Sequence, residues 1–94
     1  MIVFSPDAVA DVERLRTFVD QTNPGAAQRA MARIFEAIDR VQEFPDLGMP
    51  TGDAGIRQIV IRFGASGYIL RYAILAETAD IIITRVWHGR EARV

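Results

Sequence analysis

The period of the hydrophobic residues changes near the middle of the chain, and this change limits the folds available to it. In the first half, apolar residues recur at the spacing of an amphipathic helix, as in Ala8, Val12, Leu15 and Val19. After Gly55 the period becomes two, as in strands, over segments 56–63, 68–75 and 81–87. Because short turns join these segments, consecutive strands must run antiparallel. The pattern therefore predicts helices followed by a three-stranded meander.

The first half begins with a helix-start signal. Ser5-Pro6-Asp7 combines a Ser cap, Pro at the first helical position and a carboxylate in the first turn. The helix that follows is predicted to turn four charged residues to solvent: Asp11, Glu13, Arg14 and Arg16. Asn23-Pro24-Gly25 ends it, and a second helix is predicted over residues 24–44. With a short strand at 1–4, the order is β-α-α-β-β-β, an α+β fold with a helical hairpin on one face of a small antiparallel sheet.

The predicted strands carry large apolar groups on both faces. The central strand alternates Tyr68, Leu70, Tyr72 and Ile74 against Ile69, Arg71, Ala73 and Leu75. The last strand alternates Ile81, Ile83, Arg85 and Trp87 against Ile82, Thr84, Val86 and His88. Since the hairpin covers one face, the other face is predicted to bind a partner. The alternative is a strongly curved sheet whose edges cover themselves.

Composition excludes several kinds of site. The 94 residues predict one domain, 1–94, and they contain no Cys and a single His. A disulfide framework, a thiolate metal site and a multi-His metal site are thereby excluded. No Gly-rich phosphate-binding motif is present, and neither a signal peptide nor an apolar membrane segment is recognisable. The chain is expected to be cytoplasmic, with no metal, no cofactor and no membrane association.

Charge is distributed unevenly between the two halves. Residues 1–55 hold five Arg and nine acids, whereas residues 56–94 hold six Arg and three acids, and Lys is absent throughout. The near-neutral total argues against capture of phosphate backbones, so no direct sequence-specific binding of nucleic acid is expected. The basic second half suits an acidic protein partner.

The candidate functional residues cluster at the end of the chain. Five arginines are hypothesised to converge near the open sheet face, with solvation of each as the alternative: Arg62, Arg71, Arg85, Arg90 and Arg93. Arg71 is the strongest of them, because a mid-strand cation between apolar neighbours needs a partner or an open face. His88 is either a general acid or base or a hydrogen-bonding strand residue. Trp87 is either core or a binding anchor.

Several short motifs occur along the chain in a fixed order: Ser5-Pro6-Asp7-Ala8, Phe44-Pro45, Ser66-Gly67-Tyr68 with Arg71-Tyr72, and Arg85-Val86-Trp87-His88-Gly89-Arg90. Taken together, these motifs resemble the RelE/ParE superfamily of toxins from type II toxin–antitoxin systems. The resemblance covers nearly the whole chain and implies the fold derived above. It implies one of two activities: ribosome-dependent cleavage of mRNA in RelE-like members, or poisoning of DNA gyrase in ParE-like members.

The register of this resemblance favours the ParE-like branch. RelE-like nucleases place basic residues where this chain has Val60, Arg62 and Ile69, and they carry a late Tyr that does not follow Arg90 here. The resemblance thus implies a non-enzymatic gyrase inhibitor that arrests growth and stabilises plasmids, with no catalytic residue. It implies a hetero-oligomer with a ParD-like antitoxin whose disordered tail folds on the toxin. The residues assigned to binding are Arg62, Arg71, Trp87, His88, Arg90 and Arg93.

Two alternatives stay open at this point. One is a RelE-like ribosome-dependent endonuclease that uses His88 and Arg71. The other is a domain that keeps the fold and binds an antitoxin but has lost toxicity.

Overall fold

The computed structural model describes residues 1–22, 25–64 and 66–91. Its elements are β1 Ile2–Phe4, α1 Pro6–Thr22, α2 Ala26–Glu43, a 3-10 helix Pro45–Leu47, β2 Met49–Pro50, β3 Ile56–Phe63, β4 Ser66–Ile74 and β5 Ile81–His88. The predicted α+β fold is confirmed. Asn23, Pro24 and Ala65, which the sequence assigns to turns, lie outside the described residues.

The strands form one sheet in the order β1-β5-β4-β3-β2. The predicted meander is confirmed, because β3 pairs antiparallel with β4 and β4 with β5. β1 lies beside β5 and runs parallel to it, with Ile2 opposite Ile81. This pairing ends at Phe4 and Ile83. Within the described residues no strand lies outside β5 beyond Ile83, and α1 lies there instead.

The start of α1 is fixed by the predicted Ser cap. The Ser5 Oγ accepts a hydrogen bond from the Ala8 amide at 3.1 Å. The same hydroxyl donates to the Thr84 carbonyl at 3.0 Å, and the Ser5 amide donates to the Ile83 carbonyl. The cap therefore satisfies an orphan amide of the helix and ties the helix to β5 at the same time.

The helical hairpin covers one face of the sheet. The buried residues on the sheet side of this core include Tyr68, Leu70, Tyr72, Ile81, Ile83 and Val86. Facing them, α1 and α2 bury Ala8, Leu15, Ala30, Ile34, Ile38 and Val41. The Tyr72 hydroxyl donates to the Pro45 carbonyl and accepts from the Gly48 amide, which fastens the segment after α2 to the core.

A bulge in β5 overturns the alternation predicted for this strand. Arg85 is paired with Arg71, but Ile83 is paired with Tyr72, so Thr84 is an extra residue on β5. Beyond it, Val86 is buried with Ile81 and Ile83, although the prediction put it on the opposite face. The prediction is wrong after Ile83, because a period of two cannot anticipate an inserted residue.

Candidate functional site

The face of the sheet away from the helices is a continuous surface on the three long strands. We call it the open face and define it by Gln58, Val60, Ile69, Arg71, Ala73, Ile82 and Trp87, which the strand register places side by side. Val60 is 65% exposed, and the rest are partly exposed. A mostly apolar surface with one guanidinium near its centre suits contact with another protein.

Arg71 is held in place by its neighbours on the open face. Its Nε donates to the Gln58 Oε1 at 2.9 Å, and its guanidinium carbon lies 5.2 Å from the centre of the Trp87 ring. The Asp53 carboxylate lies 3.7 Å from the Nη1. The mid-strand arginine thus has both a partner and an open face. The Trp87 ring and the Gln58 amide fix the orientation of its planar fork, which lowers the entropy cost of binding a carboxylate.

Residues 88–91, which we call the C-terminal tip, fold back on themselves after β5. The Arg90 amide donates to the His88 Nδ1 at 3.0 Å, and the Glu91 amide donates to the His88 carbonyl at 2.9 Å. The Gly89 amide donates to the Gly67 carbonyl, which ties the tip to β4. The tip is therefore a closed turn at one end of the sheet, with Arg90 exposed on it.

The imidazole of His88 belongs to the helix side of the sheet. Its ring centre lies 5.4 Å from that of Phe18 and 5.1 Å from that of Tyr68, edge-on to the latter. Because an amide can only donate, the Nδ1 that accepts from Arg90 carries no proton, so the neutral ring holds its proton on Nε2. Burial lowers the pKa of His88, and the Arg90 charge lowers it further, against a smaller opposing effect of Glu91.

This arrangement predicts a pH dependence of stability. Because the pKa of His88 in the fold is below its ordinary value of 6.5, the unfolded chain binds the proton more readily. The contribution of the neutral His88 to the free energy of unfolding should be fully present above pH 6.5 and should decrease as the pH falls below that value. We expect the free energy of unfolding of the wild type to decrease between about pH 7.5 and about pH 5.5, measured by denaturant titration. His88→Gln keeps an acceptor without titrating, and equal slopes for the two proteins would contradict this prediction.

A buried acidic residue connects α1 to β5. Asp11 is 1% exposed. Its Oδ1 accepts from the Arg14 Nη1 at 2.6 Å and the Arg85 Nη2 at 3.1 Å, and its Oδ2 accepts from the Arg85 Nε at 2.8 Å and the Val86 amide at 2.8 Å. The prediction that Asp11 lies on the solvent face of α1 is wrong. In the part of the chain that the structure describes, no strand lies beside β5 beyond Ile83, and Asp11 accepts from the Val86 amide that a neighbouring strand would have bonded.

A second carboxylate closes this cluster from the C-terminal tip. Glu91 accepts from the Arg14 Nε at 2.7 Å and Nη2 at 3.2 Å, and from the His88 amide at 2.7 Å. Burial raises the pKa of Glu91, but the hydrogen bonds from Arg14 and His88 outweigh it and leave the pKa below its ordinary range. The pKa of Asp11 is lowered in the same way, with burial opposed by Arg85, Arg14 and the Val86 amide. Both groups are therefore anions at neutral pH.

The predicted site residues are only partly brought together. Arg71 and Trp87 are in contact on the open face, whereas His88 lies behind the sheet. Arg62 is opposite Gly67, to which the tip is bonded, so Arg62 and Arg90 share one end of the sheet. Arg85 does not converge with them because Asp11 holds it. Arg93 lies outside the described residues.

A groove lies between α2 and the outer edge of β3. We call it the edge groove; it has a volume of about 530 Å³ and is lined in part by Arg33, Glu36, Arg40, Leu47, Met49 and Val60. β2 pairs with β3 at Arg57 and Gln58, so in the described part of the chain no strand lies outside Ile59 to Phe63. Met49 and Leu47 are 73% and 42% exposed there. An unpaired edge beside exposed apolar groups is a place where another chain can add a strand.

Other kinds of site find little support in the residues described. Within 1–22, 25–64 and 66–91, no group of three or more His, Cys, Asp or Glu residues is arranged to hold a metal ion. In the same residues, no helix has the length and apolar character needed to cross a membrane.

Two helices packed on one face of a small sheet, with the opposite face open, match the α+β fold of RelE and ParE toxins. The family described as "ParE toxin of type II toxin-antitoxin system, parDE" matches residues 2–93, and the chain belongs to this family. The resemblance to the superfamily inferred from the sequence is confirmed. The chain is thus a toxin of the type that acts in type II toxin–antitoxin systems.

Proteins with RelE names and a ParDE system are both similar to this chain. A protein called Toxin RelE1 from Caulobacter vibrioides is 35% identical over 92 residues, covering 98% of this chain and 96% of that protein. A chain of the chromosomal ParDE system from P. aeruginosa superimposes with a TM-score of 0.74 at 18% identity, covering 93% of this chain and 92% of that one. The isolated E. coli RelE toxin superimposes with a TM-score of 0.66 at 17% identity, covering 99% and 87%. At these identities the solved structures establish the shared fold.

The residues that sequence reasoning missed are Asp11, Arg14 and Glu91. Their signal in the sequence is weak, because Asp11 and Arg14 are one helical turn apart among other charged residues. Nothing local distinguishes a buried carboxylate from a solvated one at such a position. The contact depends on the topology that brings the last strand beside the first helix.

Proposed function

We propose that this protein is a ParE-like toxin that inhibits DNA gyrase in the cytoplasm and is neutralised by a cognate antitoxin. The family match supports this assignment, and so does the composition of the open face. In this proposal Arg71 and Trp87 form the centre of the surface that contacts gyrase, and Arg62 and Arg90 lie at its end. Inhibition by binding, without catalysis by the toxin, stops replication.

The observation that carries the proposal is the position of His88. Attack of a 2′-hydroxyl on its phosphate needs a proton acceptor and a proton donor on the face where the RNA lies. The imidazole is packed against Phe18 and Tyr68 on the other side of the sheet, and its Nδ1 is already an acceptor. Glu91 is held by Arg14. A protein target requires neither group to be accessible.

A supercoiling assay tests the proposed target directly. Purified gyrase and relaxed plasmid are incubated with increasing toxin, with and without an excess of the antitoxin encoded beside it. We expect supercoiling to fail as toxin increases and to be restored by the antitoxin. Full supercoiling at a large excess of folded toxin would contradict the proposed target.

Relatives called Toxin RelE favour a second candidate, a ribosome-dependent endonuclease. The arginines Arg62, Arg71 and Arg90 would then hold the phosphate. Primer extension on transcripts after induction separates the two functions, because codon-phased cuts within minutes require the nuclease. Intact transcripts together with arrested growth favour gyrase, and unchanged growth favours a domain without toxicity.

Substitution of two surface residues should reduce inhibition without unfolding the domain. Trp87 carries the ring under Arg71, and Arg90 is the exposed cation of the tip. We expect Trp87→Ala, at the centre of the surface, and Arg90→Ala, at its end, each to raise the half-inhibitory concentration about tenfold, as for interface residues whose truncation costs more than about 1 kcal/mol. Arg29→Ala, on the exposed side of α2, is the matched control. Full toxicity of both variants would remove these residues from the target surface.

A further inference from the structure

The C-terminal tip is held by α1 through one ion pair. The Arg14 guanidinium donates to both oxygens of Glu91, from Nε at 2.7 Å and from Nη2 at 3.2 Å. A planar fork that meets a carboxylate in this way fixes the orientation of both groups. Glu91 is 14% exposed in the pair and Arg14 is 42% exposed, so the acidic partner is the more enclosed.

The two residues reach the backbone on both sides of the tip. Glu91 Oε1 also accepts from the His88 amide at 2.7 Å, and Arg14 Nη2 also donates to the Val86 carbonyl at 3.3 Å. The third nitrogen of the same guanidinium, Nη1, bonds Asp11 inside α1. The pair therefore joins the end of β5, the turn after it and the first helix at one point.

The geometry of the turn depends on this contact. Three amides of the tip, those of Gly89, Arg90 and Glu91, bond acceptors in β4 or in the tip itself. A turn of so few residues at the end of a strand frays unless a side chain holds it. Without Glu91, the His88 amide loses its acceptor and the tip is free to continue in the direction of β5.

We propose that Glu91 and Arg14 are positioning residues, whose ion pair fixes the C-terminal tip so that Arg90 is presented at the end of the open face. The role of the tip in contacting a target rests on the function proposed above, but the fixing of the tip does not. Neither Glu91 nor Arg14 needs to contact the target. Their effect passes through the backbone between His88 and Arg90.

The test compares tip dynamics with inhibition in a small set of variants. Glu91→Gln keeps an acceptor for the His88 amide but removes the charge that holds Arg14, and Arg14→Lys keeps the charge but loses the fork. Glu13→Gln, an exposed carboxylate beside Arg14 in the chain, is the control. Amide exchange of His88 and Arg90 is followed by NMR on the free toxin, together with the nitrogen shifts of His88 that report its tautomer.

We expect Glu91→Gln to speed exchange of the Arg90 and His88 amides about tenfold or more, to mix the His88 tautomers and to leave the exchange of the core strands unchanged. Arg14→Lys should show a partial effect, and Glu13→Gln none. Unchanged exchange and an unchanged tautomer in Glu91→Gln would overturn the proposal. A uniform rise in exchange over the whole domain would also overturn it, because that is the behaviour of a merely structural residue.

A double-variant cycle then separates positioning from direct contact. If Glu91 acts through Arg90, the loss of inhibition in Glu91→Gln/Arg90→Ala should equal that of Arg90→Ala alone. Additive losses would overturn the positioning role. If the wild type leaves gyrase unaffected while Glu91→Gln still releases the tip, the proposed target fails and the fixing of the tip stands. If gyrase is inhibited and the tip does not respond to Glu91→Gln, the proposed target stands and the fixing of the tip by Glu91 fails.

Discussion

Asp11→Ala is expected to lower the free energy of unfolding by about 3 kcal/mol, the range measured when a buried, fully paired charge is removed. The variant removes the acceptor of four hydrogen bonds, three of them from the guanidinium groups of Arg14 and Arg85. These arginines are 42% and 39% exposed, so water can replace part of what they lose. The Val86 amide is buried, so water cannot replace its lost acceptor. The cost of leaving this amide unpaired should dominate the loss in the free energy of unfolding.

Two further variants separate these contributions. Asp11→Asn keeps an oxygen for the Val86 amide and removes the charge, so it should cost less than Asp11→Ala. Glu13→Ala lies two residues away on the exposed side of α1 and should change stability by no more than about 0.5 kcal/mol. Urea titration of the wild type and the three variants provides the measurement. A loss in Asp11→Ala no larger than in Glu13→Ala would show that the network contributes nothing to stability.

The parts of the fold that were predictable are those in which the local pattern and the burial agree. The helix stripe of Leu15 and Val19 and that of Ile34 and Ile38 are buried as their spacing predicts. The Ser5 cap and the meander were likewise predictable, because caps and short turns act within a few residues. Each of these signals is read from neighbours in the chain.

The parts that were not predictable depend on contacts between distant residues. The parallel pairing of β1 with β5 joins residues about eighty positions apart, and no turn links them. The bulge at Thr84 lies in an ordinary strand sequence. It reverses the faces on which Val86, Trp87 and His88 lie. Asp11 stands among charged residues, as a solvent-exposed residue would. It is buried because the Val86 amide at the edge of β5 needs an acceptor.

The candidate site likewise has features that the sequence predicts and features that it does not. Arg71 was expected to need a partner, since a mid-strand cation is costly without one, and its contact with Trp87 agrees with that expectation. The convergence of five arginines was predicted from their positions on the strands and near the tip, with solvation of each as the alternative. In the structure Asp11 holds Arg85, and Arg62 lies at the end of the sheet near Arg90, so Arg71 is the arginine near the centre of the open face.

The second large effect is expected at the edge groove, where we propose that the antitoxin tail adds a strand to β3. The Ile56 carbonyl accepts a hydrogen bond from the Thr51 amide, and the Arg62 carbonyl accepts one from the Arg33 Nη2. Both carbonyls therefore point to the outer edge of β3. By the alternation of an antiparallel strand, the amide and carbonyl of Val60 point the same way. Arg33 and Arg40 line the groove, which suits a tail with acidic residues beside its apolar ones.

Val60→Pro removes an amide that points to the outer edge, so the hydrogen bonds to β4 are kept. Proline is tolerated at such a strand edge. We expect Val60→Pro to weaken binding of the antitoxin tail about thirtyfold or more, because the added strand loses a central pair of backbone hydrogen bonds and, with them, its register on β3. Calorimetric titration with the tail peptide measures the affinity. Val60→Thr is the matched control, since it keeps the amide and a branched side chain of similar size.

The two Val60 variants distinguish strand addition from simple apolar docking. Strand addition requires the backbone, so Val60→Pro should be far weaker than Val60→Thr, while Met49→Asp, on the opposite wall of the groove, should weaken binding through lost burial. Equal, small effects of Val60→Pro and Val60→Thr would place the antitoxin elsewhere.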